Sequence, residues 1–171
     1  RERETFTPLA AYGLPPDGRA AFVGKPFDEV DAPLLAEARR TMSPIAVADA
    51  GSRPYVCPPI LGPFGGQALL ALPLTARGAP LGILVADYDE PEHHFTPREM
   101  TLYTGIANQI AGALEGALLA QEAAEAARLE QELRVARDIQ TALLPAGGPG
   151  IDGWDIAADW RSARLVGGDF Y

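Results

Sequence analysis

The sequence predicts an α+β protein: an antiparallel sheet flanked by helices, one long helix, and a short β segment after it. Three observations carry that reading. Two apolar runs, 68–75 and 80–88, are separated by Ala76-Arg77-Gly78-Ala79, which has the length and chemistry of a hairpin turn. From Pro97 to Leu144 no further proline interrupts a helical pattern, and the glycines of that stretch (Gly105, Gly112, Gly116) all lie in its first half. Beyond a break at Pro145-Ala146-Gly147-Gly148-Pro149-Gly150, the apolar Trp154, Ile156, Ala158 and Trp160 alternate with Asp155, Ala157, Asp159 and Arg161, the period of a strand.

The earlier elements follow in order. Residues 4–14 read as β-like and close on Pro15-Pro16-Asp17-Gly18, a turn signal, and 20–24 has the length of a short strand. Asp31 precedes a helical apolar pattern and is placed to cap a helix to about Met42, with Pro44 ending it. Residues 45–49 are expected as a brief buried strand. The segment 50–66 is rich in proline and glycine and cannot sustain ladder or helix hydrogen bonds, so it is expected as a loop. The two hairpin strands are apolar nearly throughout, which predicts burial on both faces or a central place in the sheet.

The long helix is the best-signposted element. Thr96-Pro97-Arg98-Glu99 sets a hydroxyl at the cap, proline at the first helical position and glutamate three residues on, a capping box. Read as one helix it is roughly 70 Å long at 1.5 Å per residue, far longer than a small domain is wide. In its first half Leu102, Ile106, Ile110, Ala113, Leu114 and Ala117 form the expected sheet-packing face. In its second half Leu129, Leu133, Ala136, Gln140 and Leu143 make a narrower stripe, with Glu130, Glu132, Arg134, Arg137 and Asp138 outside it. That seam suits a two-helix coiled coil and predicts a parallel homodimer.

Composition bounds the function. The chain has 171 residues, 47% hydrophobic and 22% charged, enough for a core-bearing domain of about 100–150 residues plus an appendage. With 23 acidic against 14 basic side chains and a net charge of -9, it lacks the basic stripe a nucleic-acid surface needs. Cys57 is the single cysteine, which excludes an intrachain disulfide or a cysteine-cluster zinc site and fits a reducing cytoplasm. No apolar run approaches the roughly 20 residues of a membrane span. The first residue is Arg1 and the last ones fall inside a motif, so the chain is expected to be a piece of a longer protein.

Two stretches resemble known families. "PLGILVADY" at 80–88, "FTPRE" at 95–99 and "IANQIAGALE" at 106–115 resemble, in that order and spacing, the final strand and C-terminal helix of a GAF domain. The resemblance covers 1–115, with the family's first helix and strand expected upstream, and implies a GAF-like antiparallel sheet whose helix continues as a signalling helix. "ELRVARDIQTALLP" at 132–145, "GWDIAADW" at 153–160 and "ARLVGGDFY" at 163–171 resemble the start of bacterial metal-dependent (PPM, type-2C-like) serine/threonine phosphatases of the stage II sporulation kind. Three parts follow: a sensor over 1–115, a coiled-coil linker over 116–145, and the first strands of a phosphatase β-sandwich over 146–171.

The second resemblance implies a two-metal site of Mn²⁺ or Mg²⁺ held by carboxylates around a bridging water. Paired cations lower that water's pKa and clamp the phosphoryl oxygens, and hard oxygen ligands suit both metals. Asp169 matches the first ligating aspartate of the family's motif, and Gly168 the glycine beside it whose carbonyl contributes. The other ligands are expected after Tyr171, so the chain by itself is expected to be inactive. The implied substrate is a phosphorylated regulatory protein, an anti-sigma-factor antagonist.

Rival readings are weaker. The input half of a diguanylate cyclase would carry a "GGDEF"-like hairpin, but Phe170 stands where the acidic residue belongs. A sensor histidine kinase needs a phosphoaccepting histidine on the helix, and both histidines, His93 and His94, precede it. That pair is read as a solvated loop beside Glu90 and Glu92 rather than a metal site. Cys57 lacks the neighbouring histidine of chromophore-bearing GAF domains. The loop 51–66 is either plain connection or the lid of a ligand pocket with Tyr55 and Phe64 as walls and Arg53 as an anion contact. No ligand is named by the sequence. A GAF dimer that only binds or assembles stays open as the non-enzymatic alternative.

Overall fold

The computed structural model describes residues 5–50, 65–90, 92–145, 150–157, 159–162 and 165–167. It divides into two compact units, Arg1–Gly116 and Ala117–Tyr171. The element order is β1 (Thr5–Phe6), α1 (Pro16–Phe22), β2 (Phe27–Asp28), a 3-10 turn (Glu29–Asp31), α2 (Pro33–Thr41), β3 (Ile45–Val47), β4 (Ala68–Ala76), β5 (Ala79–Tyr88) and α3 (Pro97–Leu143). The architecture is α+β with antiparallel sheets and a long C-terminal helix, as the sequence predicts.

β1 and β2 form a two-stranded antiparallel ribbon, Phe6 opposite Phe27. The larger sheet has the order β3-β4-β5, all antiparallel, with Val47 opposite Leu69 and Ala68 opposite Tyr88. The β4–β5 turn is the two residues Arg77 and Gly78, at φ 50° and 78°. Both lie in the left-handed region that a two-residue hairpin turn demands, and Gly78 takes it without steric cost. The burial expected of both hairpin strands holds for β4 alone: Ala68 to Leu72 are at most 1% exposed, while β5 is half-buried and its start exposed. β4 pairs on both sides, whereas β5, like β3, is an edge among the described strands.

The core has two layers, one on each face of β4. Leu69 and Ala71 pack with Leu34, Leu35 and Ala38 of α2 and with Val47. Leu70, Leu72 and Leu74 pack with Ala107 and Ala111 of α3, flanked by Met100, Tyr103, Ile110 and Leu114. The strand period of two sends alternate leucines to opposite faces, which is why one strand organises both layers. Each fully buried leucine contributes roughly 2 kcal/mol.

Several expectations are corrected. Where a turn over 15–18 and a short strand over 20–24 are expected, Pro16–Phe22 form helix α1: Pro16 at its start presets the helical φ and Asp17 suits the positive end of the helix dipole. Of the β-like run 4–14 only Thr5–Phe6 pairs. Asp31 lies in the 3-10 turn, so α2 begins after Ala32 without a side-chain cap, and it ends at Met42 in the left-handed region. The α3 face on the sheet is rotated from the expected one. Of the expected face Ile110 and Leu114 pack on the β4 core, while Leu102, Ile106, Ala113 and Ala117 are exposed. The small Ala107 and Ala111 are the residues buried against β4, letting the helix come close. The period-two strand over 154–160 does not form among the described residues. Only an isolated bridge joins Ile151 to Trp154, whose side chain is exposed. A lone strand leaves its backbone groups unpaired, so pattern without a neighbour is not enough.

Candidate functional site

The first unit holds a cavity of about 360 Å³ between the start of β5, α2, the end of α1 and the β1–β2 ribbon. Its apolar wall is Phe6, Phe22, Phe27, Leu35, Ile83 and Val85, with Thr5 and Thr7 as hydroxyl-bearing lining. Among the described residues Arg39 is the one charged residue lining it, on the same helix face as Leu35 four residues earlier. Its Nη2 donates to Glu29 Oε2 at 3.0 Å, and its guanidinium carbon is 5.3 Å from the centre of the Phe6 ring. The cation is thereby compensated and set over an aromatic face, an attractive arrangement in its own right. The cavity suits a small, mainly apolar molecule with one hydrogen-bonding group, in the size range of ligand clefts.

The sequence reading did not find this cavity. Tyr55, Phe64 and Arg53, its candidates for a ligand pocket, lie outside the described residues, as does most of the 51–66 loop. The usable signal was Arg39: a charge in register with Leu35 on an apolar helix stripe needs a partner, here Glu29 and the Phe6 ring.

A second cluster stands where β5 hands over to α3. The capping box forms as read: the Glu99 amide donates to Thr96 Oγ1 at 3.3 Å and the Thr96 amide donates to Glu99 Oε2 at 2.7 Å. Such a cap contributes about 1 kcal/mol. Tyr88, the last residue of β5, donates to Glu99 Oε1 at 3.3 Å, and its hydroxyl is 3.0 Å from that of Tyr103. His93 stacks on Tyr88, ring centres 4.0 Å apart, and meets Phe95 edge-on at 5.0 Å. Its Nε2 is 3.3 Å from Glu99 Oε1, without the alignment of a hydrogen bond. The solvated-loop reading therefore holds for His94, which is exposed, and fails for His93, whose side chain is 17% exposed. Among the described residues no group of three or more His, Cys, Asp or Glu is placed to hold a metal ion.

The cluster has a measurable signature. The Tyr103 hydroxyl, then burial, then the Glu99 charge push Tyr88 up to about 12. Hydrogen bonds from Thr96, then the His93 charge and the Tyr88 hydroxyl, hold Glu99 below the usual carboxylate range. A raised phenol contributes stability that is complete below the unfolded value near 10 and is lost as pH rises through about 12. The depressed carboxylate acts oppositely, losing its contribution as pH falls through its folded value. Spectrophotometric titration at alkaline pH should show one late-ionising tyrosine near 12. Tyr88→Phe should remove that step, and Tyr103→Phe should move it back toward the ordinary value.

In the second unit the seam residues differ in exposure. Leu129, Leu133 and Leu143 are 58%, 37% and 63% exposed, and Ala136 and Gln140 are half-buried. Gly168 and Asp169 lie outside the described residues. Gly167 immediately precedes them, and its backbone is bonded to Gln140.

A small domain with a ligand-sized cavity on one face of a hairpin-centred antiparallel sheet, and a capped helix leaving the other face, is matched by one family over residues 5–114. The chain belongs to the GAF domain family. The GAF domain of a phosphoenolpyruvate-protein phosphotransferase from Coxiella burnetii is similar at 28% identity and TM-score 0.56, covering 67% of this chain and 66% of that one. A GAF domain/HD domain protein from Geobacter sulfurreducens has TM-score 0.56 at 22% identity, over 67% and 75% of the two chains. The GAF-B domain of DevS from Mycobacterium smegmatis has TM-score 0.50 at 24% identity, over 66% and 71%. No curated protein matches the chain. It thus carries a GAF sensory or regulatory domain, and among the described residues no helix is long and apolar enough to cross a membrane.

Proposed function

We propose that the chain is the sensing and transmitting part of a cytoplasmic bacterial protein serine/threonine phosphatase. One observation supports it most: the helix that leaves the GAF sheet runs unbroken from Pro97 to Leu143, into the segment whose "LLP", "GWDIAADW" and "VGGDFY" resemble the opening of a PPM phosphatase. The GAF cavity holds a small effector, the seam through Leu129, Leu133 and Leu143 pairs two chains, and a shift in helix packing changes the placement of the segment bearing Asp169. For this to be regulation, the effector must bind one helix arrangement more tightly than the other.

The substrate in this reading is phosphoserine or phosphothreonine on an anti-sigma-factor antagonist. Mn²⁺ or Mg²⁺ belongs to the intact enzyme. The described residues do not by themselves fit such a metal pair, since they contain no cluster able to hold an ion, and Asp169 is a single carboxylate. The reading therefore requires further carboxylates after Tyr171. In the full-length protein, phosphate release from a phosphoserine antagonist protein is expected, and Asp169→Asn should reduce it to background. Absence of release from the unaltered protein, with metal supplied, would sink the proposal.

The exposed seam leucines favour one alternative, a GAF dimer that serves only to bind or assemble. It predicts dimerisation and effector binding with no phosphate release.

A further inference from the structure

The last turns of α3 are tied to the segment that follows them by one side chain. Gln140 Nε2 donates to the Gly167 carbonyl at 2.6 Å, and the Gly167 amide donates to Gln140 Oε1 at 2.9 Å. The carboxamide thus satisfies both backbone groups of one residue, as a neighbouring strand would. The two residues are 27 apart in sequence, so the pair closes a long loop, which only a specific contact holds. A second observation shows that the place is built. A Cβ on Gly167 would collide with Cζ2 of the Trp160 indole and lie 3.0 Å from Cε2. Gly167 therefore has the bare backbone that lets the ring lie against it. Trp160 is half-buried there, whereas Trp154, the other tryptophan, is exposed.

We propose that Gln140 is a positioning residue: its carboxamide clasps the backbone of Gly167, with Trp160 closing over it, and so sets where the chain enters Gly168-Asp169. This rests on the phosphatase reading given above and adds to it the contact through which helix placement reaches the segment bearing Asp169. Glutamine fits because only a carboxamide offers one donor and one acceptor side by side at that reach. Glutamate can accept from the Gly167 amide but cannot donate to its carbonyl, and methionine keeps length and helix propensity with neither function.

The test compares Gln140→Met, Gln140→Glu and Gly167→Ala in the full-length protein, read two ways. Amide exchange at Gly167 is expected to quicken by about tenfold or more in Gln140→Met, given two lost hydrogen bonds of ordinary net worth. It should quicken less in Gln140→Glu, and Gly167→Ala should expose the indole and red-shift its emission. Exchange within 125–135 of α3 should stay unchanged in all three, showing that the helix is intact. Phosphate release should fall in the order Gln140→Glu, Gln140→Met, a graded loss that tracks exchange at Gly167. Unchanged exchange in Gln140→Met overturns the clasp. Faster exchange with undiminished phosphate release overturns the positioning role. If the unaltered protein releases no phosphate, the phosphatase reading fails and takes the positioning role with it, while exchange at Gly167 still reports the clasp separately.

Discussion

Replacing Leu70 with alanine should destabilise the GAF domain by about 3 kcal/mol, within the range for deleting a buried leucine. Leu70 is fully buried on central strand β4, on the face that packs against Ala107 and Ala111. Those partners are already the smallest helix-forming side chains, so no longer side chain of theirs can swing in to fill the void. The whole stability of such a domain is of order 5–15 kcal/mol, and the loss corresponds to a fall in Tm on the order of 10–20 °C. The comparison that makes the measurement decisive is Leu102→Ala on α3. Leu102 is 59% exposed, so its truncation should cost under about 1 kcal/mol. Urea denaturation of the two variants would settle which stripe of α3 packs on the sheet. Equal losses would mean that the helix uses the leucine stripe and that the alanine face is wrong.

That comparison also shows where the sequence was legible. The hairpin, the capping box and the unbroken helix were readable because each is specified locally, by Arg77-Gly78, by Thr96 with Glu99, and by the absence of proline between Pro97 and Pro145. The α3 packing face was not, because its first half carries two stripes at helical spacing. Hydrophobicity favours Leu102 and Ile106, but close approach to β4 favours Ala107 and Ala111, and the choice lies with the sheet. The same limit misled the reading of 154–160: alternation marks which residues share a face, but a strand exists only where another strand takes its hydrogen bonds. Helix α1 was mistaken for a turn because Pro16-Asp17-Gly18 serves either purpose until the next residues decide. The GAF cavity escaped because its walls come from five separate elements, and only Arg39 stood out of pattern. His93 was misjudged from its acidic neighbours in sequence, when Tyr88 and Phe95 are its neighbours in space.

Leu133→Asp should weaken self-association of the full-length protein by two to three orders of magnitude, the effect of removing about 2 kcal/mol of leucine burial from each of two chains. Leu133 sits mid-seam between Leu129 and Ala136, and pairing in register would oppose it to its own copy, so the substitution also sets two carboxylates against each other. The choice of control separates a seam from mere stickiness. Val135 is 47% exposed on the same helix, two residues on and outside the 129–133–136–140–143 stripe. Val135→Asp introduces the same charge at little helix-propensity cost, since valine and aspartate rank close together, so it should leave association nearly unchanged. Sedimentation velocity across a concentration series would distinguish the outcomes. Equal weakening by both substitutions would indicate a diffuse apolar surface with no register, and no weakening by either would leave the stripe to solvent. The seam carries a further constraint at its C-terminal end, where Gln140 already engages the Gly167 backbone. A helix pairing that kept Gln140 in the interface would have to accommodate that clasp or break it. Leu133→Asp should therefore leave amide exchange at Gly167 unchanged if the seam ends before Gln140, and alter it if pairing and clasp draw on the same carboxamide.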